Sequence, residues 1–459
     1  LHPVTTTMKF TSTAILILLS GATFVPSFAR MSSSASYEHG DHDNNNVQGD
    51  VHVARIALGF RHSCAIDDLA KLWCWGSNNS GELGDGTRDA KNNPTMISLG
   101  GDSTHANQVS LGYHHSCVIT NRKRNNVKCW GRNWEGQVGD GTNENRYTPT
   151  NVRLRDSRSY ATQISSGRSH SCVLTNLNVL KCWGRNYEGQ IGNGTYGIQN
   201  KPIIVSLGNE NGTTTTTKST ARTYATQIAL GGLNTCVIDN LNKLLCWGDN
   251  TFGTLGDGTN VHSRNTPTFI SLGDDDAYAT QLALGELHSC IIDSNNNLKC
   301  WGLNSFGQLG DGTKKDKNVP TIIPFGYDDG SYATEIALGW WHSCALDNLK
   351  NLKCWGSGGA GALGNGTYGN KLTPTITALG YGNGGKVYAT TMELGEAHSC
   401  AIVSDNSDSD LGGLMCWGGN SNGQLGDGTN ITKNTPTSIS IPSAQVFFVE
   451  GRIEKELEE

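Results

Sequence analysis

The sequence predicts an all-β fold: a seven-bladed β-propeller with four antiparallel strands and one disulfide in each blade. Three observations support this prediction. A segment of about fifty residues recurs seven times, every copy holds two cysteines, and Trp-Gly follows every second cysteine. The chain of 459 residues contains 58 glycines, and only 17% of its residues are charged. This composition is typical of many short strands joined by tight turns.

The sixth copy shows the four strands of one blade. Its extended runs span 332–339, 342–347, 351–356 and 373–379, with Gly, Asn and Asp between them. We name these strands A to D in chain order. Pro374 is expected at the start of strand D, because proline is tolerated at the first position of a strand or at a sheet edge. Four strands in each of seven copies predict the seven-bladed propeller.

The copies also set the domain boundaries. We expect a signal peptide with upstream residues at 1–29, a disordered linker at 30–50, the propeller at 51–441, and a C-terminal strand with an acidic tail at 442–459. The seven repeats lie near 51–100, 101–154, 155–207, 221–272, 273–325, 326–380 and 381–441.

The first 29 residues have the pattern of a secretion signal. Met8 and Lys9 give a basic start, an apolar run spans 14–19, and small residues at Ser27 and Ala29 suit cleavage after Ala29. The apolar run is too short to span a bilayer, and a retained signal anchor is the alternative. We therefore expect a secreted, extracellular protein without membrane attachment after cleavage.

The cysteine pairs are predicted to be disulfides within blades. Length differences between the copies fall between the two cysteines, in the B–C hairpin, where a loop can lengthen without moving the opposed strand positions. Opposed positions on antiparallel strands are close enough for a disulfide. Free thiols or zinc are the alternatives, although the spacing is not that of a zinc knuckle. The predicted pairs are Cys64–Cys74, Cys117–Cys129, Cys172–Cys182, Cys236–Cys246, Cys290–Cys300, Cys344–Cys354 and Cys400–Cys416.

Three further features concern the loops and the C-terminus. The segment 443–451 aligns with strand A of the sixth copy, so it either begins an eighth copy or pairs with a blade to clasp the ring. The role of the Thr-rich insertion at 213–220 is left open. Five Asn-x-Ser/Thr sequons are possible N-glycosylation sites in a secreted protein. They are Asn78, Asn193, Asn211, Asn365 and Asn430.

Two runs in each copy resemble a known repeat. One run has the pattern Gly-x-x-His-Ser-Cys, which is clear at 112–117. The other has the pattern Cys-Trp-Gly-x-Asn-x-x-Gly-Gln-Leu-Gly-Asp-Gly-Thr, which is clear at 300–313. Both resemble the regulator of chromosome condensation repeat, in a secreted, cysteine-rich form. The resemblance covers 51–441 and implies the seven-bladed propeller. It says little about function, because the family includes exchange factors for a small GTPase, an ultraviolet photoreceptor and a secreted inhibitor. A photoreceptor would need tryptophans in several Gly-x-x-His turns, and here only Trp340 and Trp341 occupy one.

Residues that recur in every blade are interpreted as structural. A histidine of strand B is expected to hydrogen-bond a neighbouring backbone group, although a ring of histidines could also suggest metal. The Trp of each Cys-Trp-Gly is expected to pack between blades. The Gly-Asp-Gly-Thr loops lack the alternating carboxylates of a calcium site and are interpreted as tight turns. The histidines are His62, His115, His170, His288, His342 and His398, with Asn234 at the seventh position.

The informative positions are the two residues between the repeated Gly and His, which differ in every copy. They should form a ring around one mouth of the propeller, and aromatic and arginine side chains are favoured in such interfaces. The predicted binding residues are Phe60, Arg61, Tyr113, His114, Arg168, Leu233, Glu286, Trp340, Trp341 and Glu396.

These observations favour a secreted, non-catalytic binding protein, monomeric, that recognises a protein or a glycan through these loops. A net charge of −6 gives no general attraction to nucleic acid. No catalytic residue, metal site or cofactor is predicted. One alternative is a lyase or hydrolase centred on the channel, for which Glu286 and Glu396 are the carboxylates near the mouth. The other is a guanine-nucleotide exchange factor-like regulator of a small GTPase, if the N-terminal segment is not a signal.

Overall fold

The computed structural model describes residues 51–442, apart from 102, 124–125, 157, 209–222, 261–262, 275, 327–329, 383–384 and 405–412. The predicted signal peptide, linker, C-terminal strand and acidic tail lie outside the described residues, as do Asn211 and the Thr-rich insertion. No helix within the described ranges is long and apolar enough to cross a membrane.

The described chain folds into seven four-stranded antiparallel sheets, each built from consecutive strands in the order A-B-C-D, so the predicted propeller is confirmed. The strands of blades one to four are β1 Val53–Leu58, β2 His62–Asp67, β3 Leu72–Gly76, β4 Lys91–Ile97; β5 Ala106–Leu111, β6 His115–Thr120, β7 Val127–Gly131, β8 Arg146–Asn151; β9 Ala161–Ser166, β10 His170–Thr175, β11 Leu180–Gly184, β12 Gln199–Ile204; and β13 Ala225–Leu230, β14 Asn234–Asp239, β15 Leu244–Gly248, β16 Arg264–Phe269.

The remaining elements follow the same order. The strands of blades five and six are β17 Ala279–Leu284, β18 His288–Asp293, β19 Leu298–Gly302, β20 Lys317–Ile322; and β21 Ala333–Leu338, β22 His342–Asp347, β23 Leu352–Gly356, β24 Lys371–Ile376. A short hairpin, β25 Tyr381–Gly382 with β26 Gly385–Lys386, precedes blade seven, whose strands are β27 Tyr388–Leu394, β28 His398–Ser404, β29 Gly413–Gly418 and β30 Lys433–Ile439. Single turns of 3-10 helix span Thr251–Gly253 and Gly359–Gly361.

The hydrophobic core lies between neighbouring blades. One cluster joins Leu72 and Leu83 of blade one to Val118 and Trp130 of blade two, and similar clusters recur around the ring. Strand B is therefore buried along its whole length, as in His115–Thr120, whereas the outer strand D is only half-buried. This layering explains why residues of strands B and C vary little between copies.

All seven predicted cysteine pairs are confirmed as disulfides. Each pair lies directly opposed on strands B and C, with its Cα atoms 4.1 Å apart, and no described cysteine is free. The longer hairpins of blades two and seven keep the same register, since Cys117 faces Cys129 and Cys400 faces Cys416. The extra residues therefore leave the pairing of the cysteines unchanged, and in blade seven strands B and C are each one residue longer than in the other blades.

The position expected for Pro374 is wrong by three residues. Pro374 lies inside β24, which begins at Lys371, and not at its start. The strand forms the outer edge of its sheet, and its register shifts between the pairs Cys354–Thr375 and Gly356–Lys371. Proline is tolerated there because an edge strand with a bulge needs no ladder hydrogen bond from that nitrogen.

The ring closes without a blade of mixed origin, because blade one consists entirely of β1 to β4. The Nε2 atom of His398 in blade seven lies 3.1 Å from the hydroxyl of Ser63 in blade one. That hydroxyl and Trp75 Nε1 both donate to the carbonyl oxygen of Gln424, at 2.7 and 2.9 Å. A side chain on Gly395 would lie 2.6 Å from the carbonyl oxygen of Gly59, so glycine is required at this contact.

The same contacts explain the repeated Trp and His. Each Cys-Trp-Gly indole donates to a carbonyl oxygen of the preceding blade at 2.8–3.0 Å, so these residues join blades as well as pack. The expected backbone partner of the histidines is wrong. In all six, Nε2 lies 2.8–3.1 Å from a Ser or Thr hydroxyl of the next blade. Burial lowers the pKa of these histidines, to about 3 for His115, so they are neutral.

Candidate functional site

The seven variable dipeptides lie on one face of the propeller, at the ends of the A strands. The C–D loops reach the same face, since the backbone N–H groups of Ser77 and Arg132 donate to the carbonyl oxygens of Arg61 and His114, both at 2.7 Å. The first residues of most dipeptides surround the opening of the central channel. We call this opening, with the seven dipeptides, the mouth.

Three aromatic rings from separate blades meet at the mouth. Phe60 stacks on Tyr113 with ring centroids 3.8 Å apart and an interplanar angle of 14°. Trp340 lies against both, at 4.5 Å from Phe60 and 4.8 Å from Tyr113. Blades one, two and six thereby contribute one apolar cluster that covers part of the channel opening. Its burial raises the pKa of the Tyr113 hydroxyl.

Two arginines cover the outer surface of this cluster. The guanidinium carbon of Arg61 lies 4.6 Å from the centroid of Phe60, and that of Arg168 lies 5.1 Å from the centroid of Tyr113. Arg61 Nε also donates to Glu396 Oε2 at 2.8 Å, and this hydrogen bond raises the pKa of Arg61. The two stacked arginines hold the rings in place and present charge around them.

A second ion pair crosses the mouth. Arg168 Nη1 donates to Glu286 Oε1 at 3.1 Å, although the two residues belong to blades three and five. The intervening blade contributes Gly232, where a side chain would lie 2.5 Å from the Glu286 carboxylate. Burial raises the pKa of Glu286, and the Arg168 guanidinium acts in the opposite direction. Glycine at this position is what lets the pair form.

The remaining dipeptide side chains point away from the channel. His114 Nδ1 lies 2.9 Å from Glu82 Oε1, a buried carboxylate of the neighbouring blade. Trp341 packs edge-on against Phe306 with centroids 5.5 Å apart. Leu233 is half-buried. These three therefore lie at the outer edge of the mouth, away from the channel opening.

The structure thus brings together seven of the ten predicted binding residues at the channel opening. These are Phe60, Arg61, Tyr113, Arg168, Glu286, Trp340 and Glu396. Phe60 and Glu286 are buried by their neighbours, so they support the surface and do not offer a side chain for contact. Tyr113, Trp340 and Trp341 remain half-exposed, and Arg61 and Arg168 are exposed.

Two carboxyl groups inside the channel were not predicted from the sequence. Glu335 and Glu393 line a cavity of about 340 Å³ that runs along the A strands. The Glu393 side chain faces the open channel. The surrounding protein nevertheless desolvates its carboxyl group and raises the pKa to about 8, and the nearby Glu335 carboxylate raises that pKa further. Glu335 accepts hydrogen bonds from Thr391 Oγ1 and the Met392 N–H at 2.7 and 3.3 Å. Alignment of the A strands could have shown Glu393, since the other six blades have Ala or Ser at its position.

The sequons differ in whether their asparagine can carry a glycan in the folded protein. Asn78 is buried, and its Nδ2 donates to Asp85 and Thr87, so a glycan on that nitrogen is incompatible with the folded blade. Asn193 and Asn365 are half-buried and Asn430 is exposed, and these three remain predicted sites. Among the described residues no group of three or more His, Cys, Asp or Glu is placed to hold a metal ion.

Comparison with known proteins agrees with this architecture. One relative is the ultraviolet-B receptor UVR8 of Arabidopsis thaliana, 26% identical over 84% of this chain and 81% of its own length. Another is the human RCC1-like G exchanging factor-like protein, 28% identical over 77% of this chain and 80% of its own. The solved structure of Prp20p from Saccharomyces cerevisiae superposes with a TM-score of 0.66 at 19% identity, covering 86% of this chain and 89% of that one, which shows a shared fold.

The repeat itself identifies the family. The Regulator of chromosome condensation (RCC1) repeat matches 70–119, 126–174, 242–292, 298–346 and 412–450, and a second description of the same repeat matches 53–82, 107–137, 161–190, 225–254, 279–308 and 333–362. These matches cover more than half of the chain and recur with the period of the blades, the first set running from strand C of one blade to strand B of the next. The chain therefore belongs to the RCC1 repeat family.

Proposed function

We propose that this chain is a secreted, non-catalytic binding propeller that recognises its partner through the face that carries the mouth. The observation that carries this proposal is the cluster of Phe60, Tyr113 and Trp340 with the arginines stacked on it. Aromatic and arginine side chains dominate binding energy in protein interfaces. Because these are held by neighbours before any partner arrives, little side-chain entropy is lost on binding.

Secretion is supported by the cysteines. Seven disulfides that use every cysteine are typical of proteins from oxidising compartments and rare in the cytosol. Protein partners are supported by the family, since yeast Prp20p has binding properties toward Gsp1p and histones. The partner of this chain is accordingly a protein or a glycan, and the loops that differ between blades select it.

A double substitution tests the proposal. Trp340→Ala with Trp341→Ala removes two half-exposed aromatic side chains of the mouth and should abolish partner capture from the medium in which the protein is secreted. The melting temperature should change little, since neither residue belongs to the cores between blades. Tyr278→Ala with Tyr332→Ala is the matched control on the opposite face. Undiminished capture by the double variant would contradict the proposal.

A second candidate is a guanine-nucleotide exchange factor-like regulator of a small GTPase. The similarity to the human RCC1-like G exchanging factor-like protein favours it. The two candidates differ in location, so N-terminal sequencing of protein from the culture medium separates them. A mature chain that begins after Ala29 supports the secreted binder, whereas retention inside the cell with the first 29 residues intact supports the regulator.

The channel-enzyme alternative receives no support from the carboxylates that suggested it. Glu286 is paired with Arg168, and Glu396 with Arg61. Glu335 and Glu393 are the carboxyl groups that line the channel interior. Two carboxyl groups serve as acid and base, or as acid and nucleophile, only when a substrate is placed between them, so this pair alone does not define a reaction.

A further inference from the structure

A row of exposed aromatic rings lies outside the mouth, on the C–D loops of four consecutive blades. The rings are Trp134, Tyr187, Phe252 and Phe306, with 62%, 53%, 39% and 38% of their surface exposed. Each is the third or fourth residue after a Cys-Trp-Gly. We call these four residues the aromatic crescent.

The crescent is not a requirement of the fold. At the same two loop positions, blades six, seven and one have only small or polar residues, and their loops form the same turns. Those residues are Gly359 and Ala360, Ser421 and Asn422, and Asn79 and Ser80. One exposed ring would need no explanation, but four at corresponding positions of consecutive blades, none of them required by the fold, point to a contact outside the chain.

The two most exposed rings are held rigidly. The guanidinium carbon of Arg132 lies 4.4 Å from the Trp134 centroid, and that of Arg185 lies 5.1 Å from the Tyr187 centroid. Arg185 also donates to Glu188 at 2.7 Å in its own loop and to Glu135 at 2.9 Å in the loop of blade two. This bridge fixes the two loops relative to one another, so both rings are presented in a set geometry.

The charges beside the crescent are balanced. The segments that hold the rings, 132–135, 185–188, 249–252 and 303–306, carry Arg132 and Arg185 against Glu135, Glu188 and Asp249. Farther along the same loops, each turn aspartate is paired with a basic residue of strand D: Asp140 with Arg146, Asp257 with Arg264 and Asp311 with Lys317. Single-stranded nucleic acids also stack on aromatic rings, but they need a basic groove along the phosphates. An acidic polysaccharide would meet the same net negative charge. The balance therefore favours an uncharged partner.

The separation of the rings onto different loops distinguishes between two candidate partners, an uncharged polysaccharide chain and a protein. A protein hot spot is a contiguous apolar patch surrounded by a polar rim. Here each ring stands on its own loop, with hydrogen-bonding side chains such as Glu135 and Glu188 between them. A sugar ring has one apolar C–H face that packs on an aromatic face and hydroxyls that bond to the flanking carboxylates and guanidinium.

We infer that the aromatic crescent binds a neutral polysaccharide chain, with successive sugars on Trp134 and Tyr187 and the chain continuing toward Phe252 and Phe306. This inference rests on the proposed function, since it names a partner class for the same face. Phe306 contacts Trp341 at 5.5 Å, so a bound chain would end beside the mouth.

The test uses the full chain and three neutral hexasaccharides, cellohexaose, laminarihexaose and chitohexaose, in titration calorimetry, with polygalacturonate as the acidic arm. At least one hexasaccharide should bind, and its affinity should not change between about 50 and about 500 mM salt, because no charge is screened. Trp134→Ala and Tyr187→Ala should each weaken it at least tenfold.

The control substitutions are Tyr278→Ala and Tyr332→Ala. These tyrosines are 45% and 41% exposed and precede strand A on the opposite face, so their loss should leave the affinity unchanged. No binding of any hexasaccharide overturns the inference, as does binding only to polygalacturonate with a steep salt dependence. If a captured protein depends on Trp340 and Trp341 while no hexasaccharide binds, the proposed function stands and this inference fails.

Discussion

Arg168 and Glu286 form an ion pair across the mouth, 3.1 Å apart, over the missing side chain of Gly232. The pair ties blade three to blade five, which share no direct sheet contact. It also positions the guanidinium that stacks on Tyr113. The geometry of the proposed recognition surface therefore depends on one glycine, in a blade that contributes no side chain to the cluster of aromatic rings and arginines.

A double-mutant cycle measures this dependence. Arg168→Ala and Glu286→Ala should show a coupling energy of about 1 kcal/mol in urea unfolding, since the exposed guanidinium is partly screened. The same cycle in a Gly232→Ala background should give a coupling near zero, because the added methyl group occupies the site of the carboxylate. Gly369→Ala is the control, as nothing lies within 4 Å of the added carbon. Equal coupling in both glycine backgrounds would contradict the account.

Acid should destabilise the protein through the buried histidines. The folded pKa of His115 is about 3 against an ordinary value of 6.5, so the unfolded chain binds the proton first as the pH falls. The contribution of each such histidine to the free energy of unfolding is fully present above pH 6.5. It is lost as the pH falls toward the folded pKa, at about 1.4 kcal/mol per pH unit for each histidine.

One substitution isolates this effect. Blade four has Asn234 where six blades have His, so His115→Asn should fold and should lower the slope of unfolding free energy against pH by about 1.4 kcal/mol per unit between about pH 4 and 6. The slope, and not the absolute stability, is compared, because the substitution also alters a hydrogen bond to Ser171. An unchanged slope would show that His115 titrates in the folded state.

The disulfides make a separate prediction. Removal of one blade's pair, as in Cys117→Ala with Cys129→Ala, should cost about 2–4 kcal/mol of unfolding free energy at neutral pH. The pair Cys400 and Cys416 closes a longer loop and should cost slightly more. A thiol reagent should detect no free cysteine in the native protein until a reductant is added. Thiols that react without reductant would contradict the pairing.

The period of the repeat explains why the blades could be predicted from the sequence. Opposed cysteines and recurring Trp-Gly set the B–C register, and each insertion falls where a hairpin loop can absorb it. The same period placed the seven dipeptides at one end of the A strands. Relations within one repeat can therefore be deduced from the amino-acid pattern alone.

Relations between repeats cannot be deduced in the same way. The partner of each histidine is a hydroxyl in the next blade, and no spacing inside a copy indicates it. The contact of Phe60 with Trp340 joins blades one and six across the channel opening, and it forms only because the ring closes between blades one and seven. The aromatic crescent is difficult to recognise in the sequence because its members are divided between two neighbouring loop positions, so no single position of the repeat is aromatic in all four blades.

The affinity for one captured partner decides whether the mouth face is the recognition surface. The dissociation constant of that partner should rise at least about 30-fold for Trp340→Ala with Trp341→Ala, as expected for the loss of a hot spot worth about 2 kcal/mol. It should stay within about twofold for Tyr278→Ala with Tyr332→Ala on the opposite face. Equal affinity of the wild-type protein and the mouth variant would show that the mouth face is not the recognition surface, and a loss in the opposite-face variant would place recognition there.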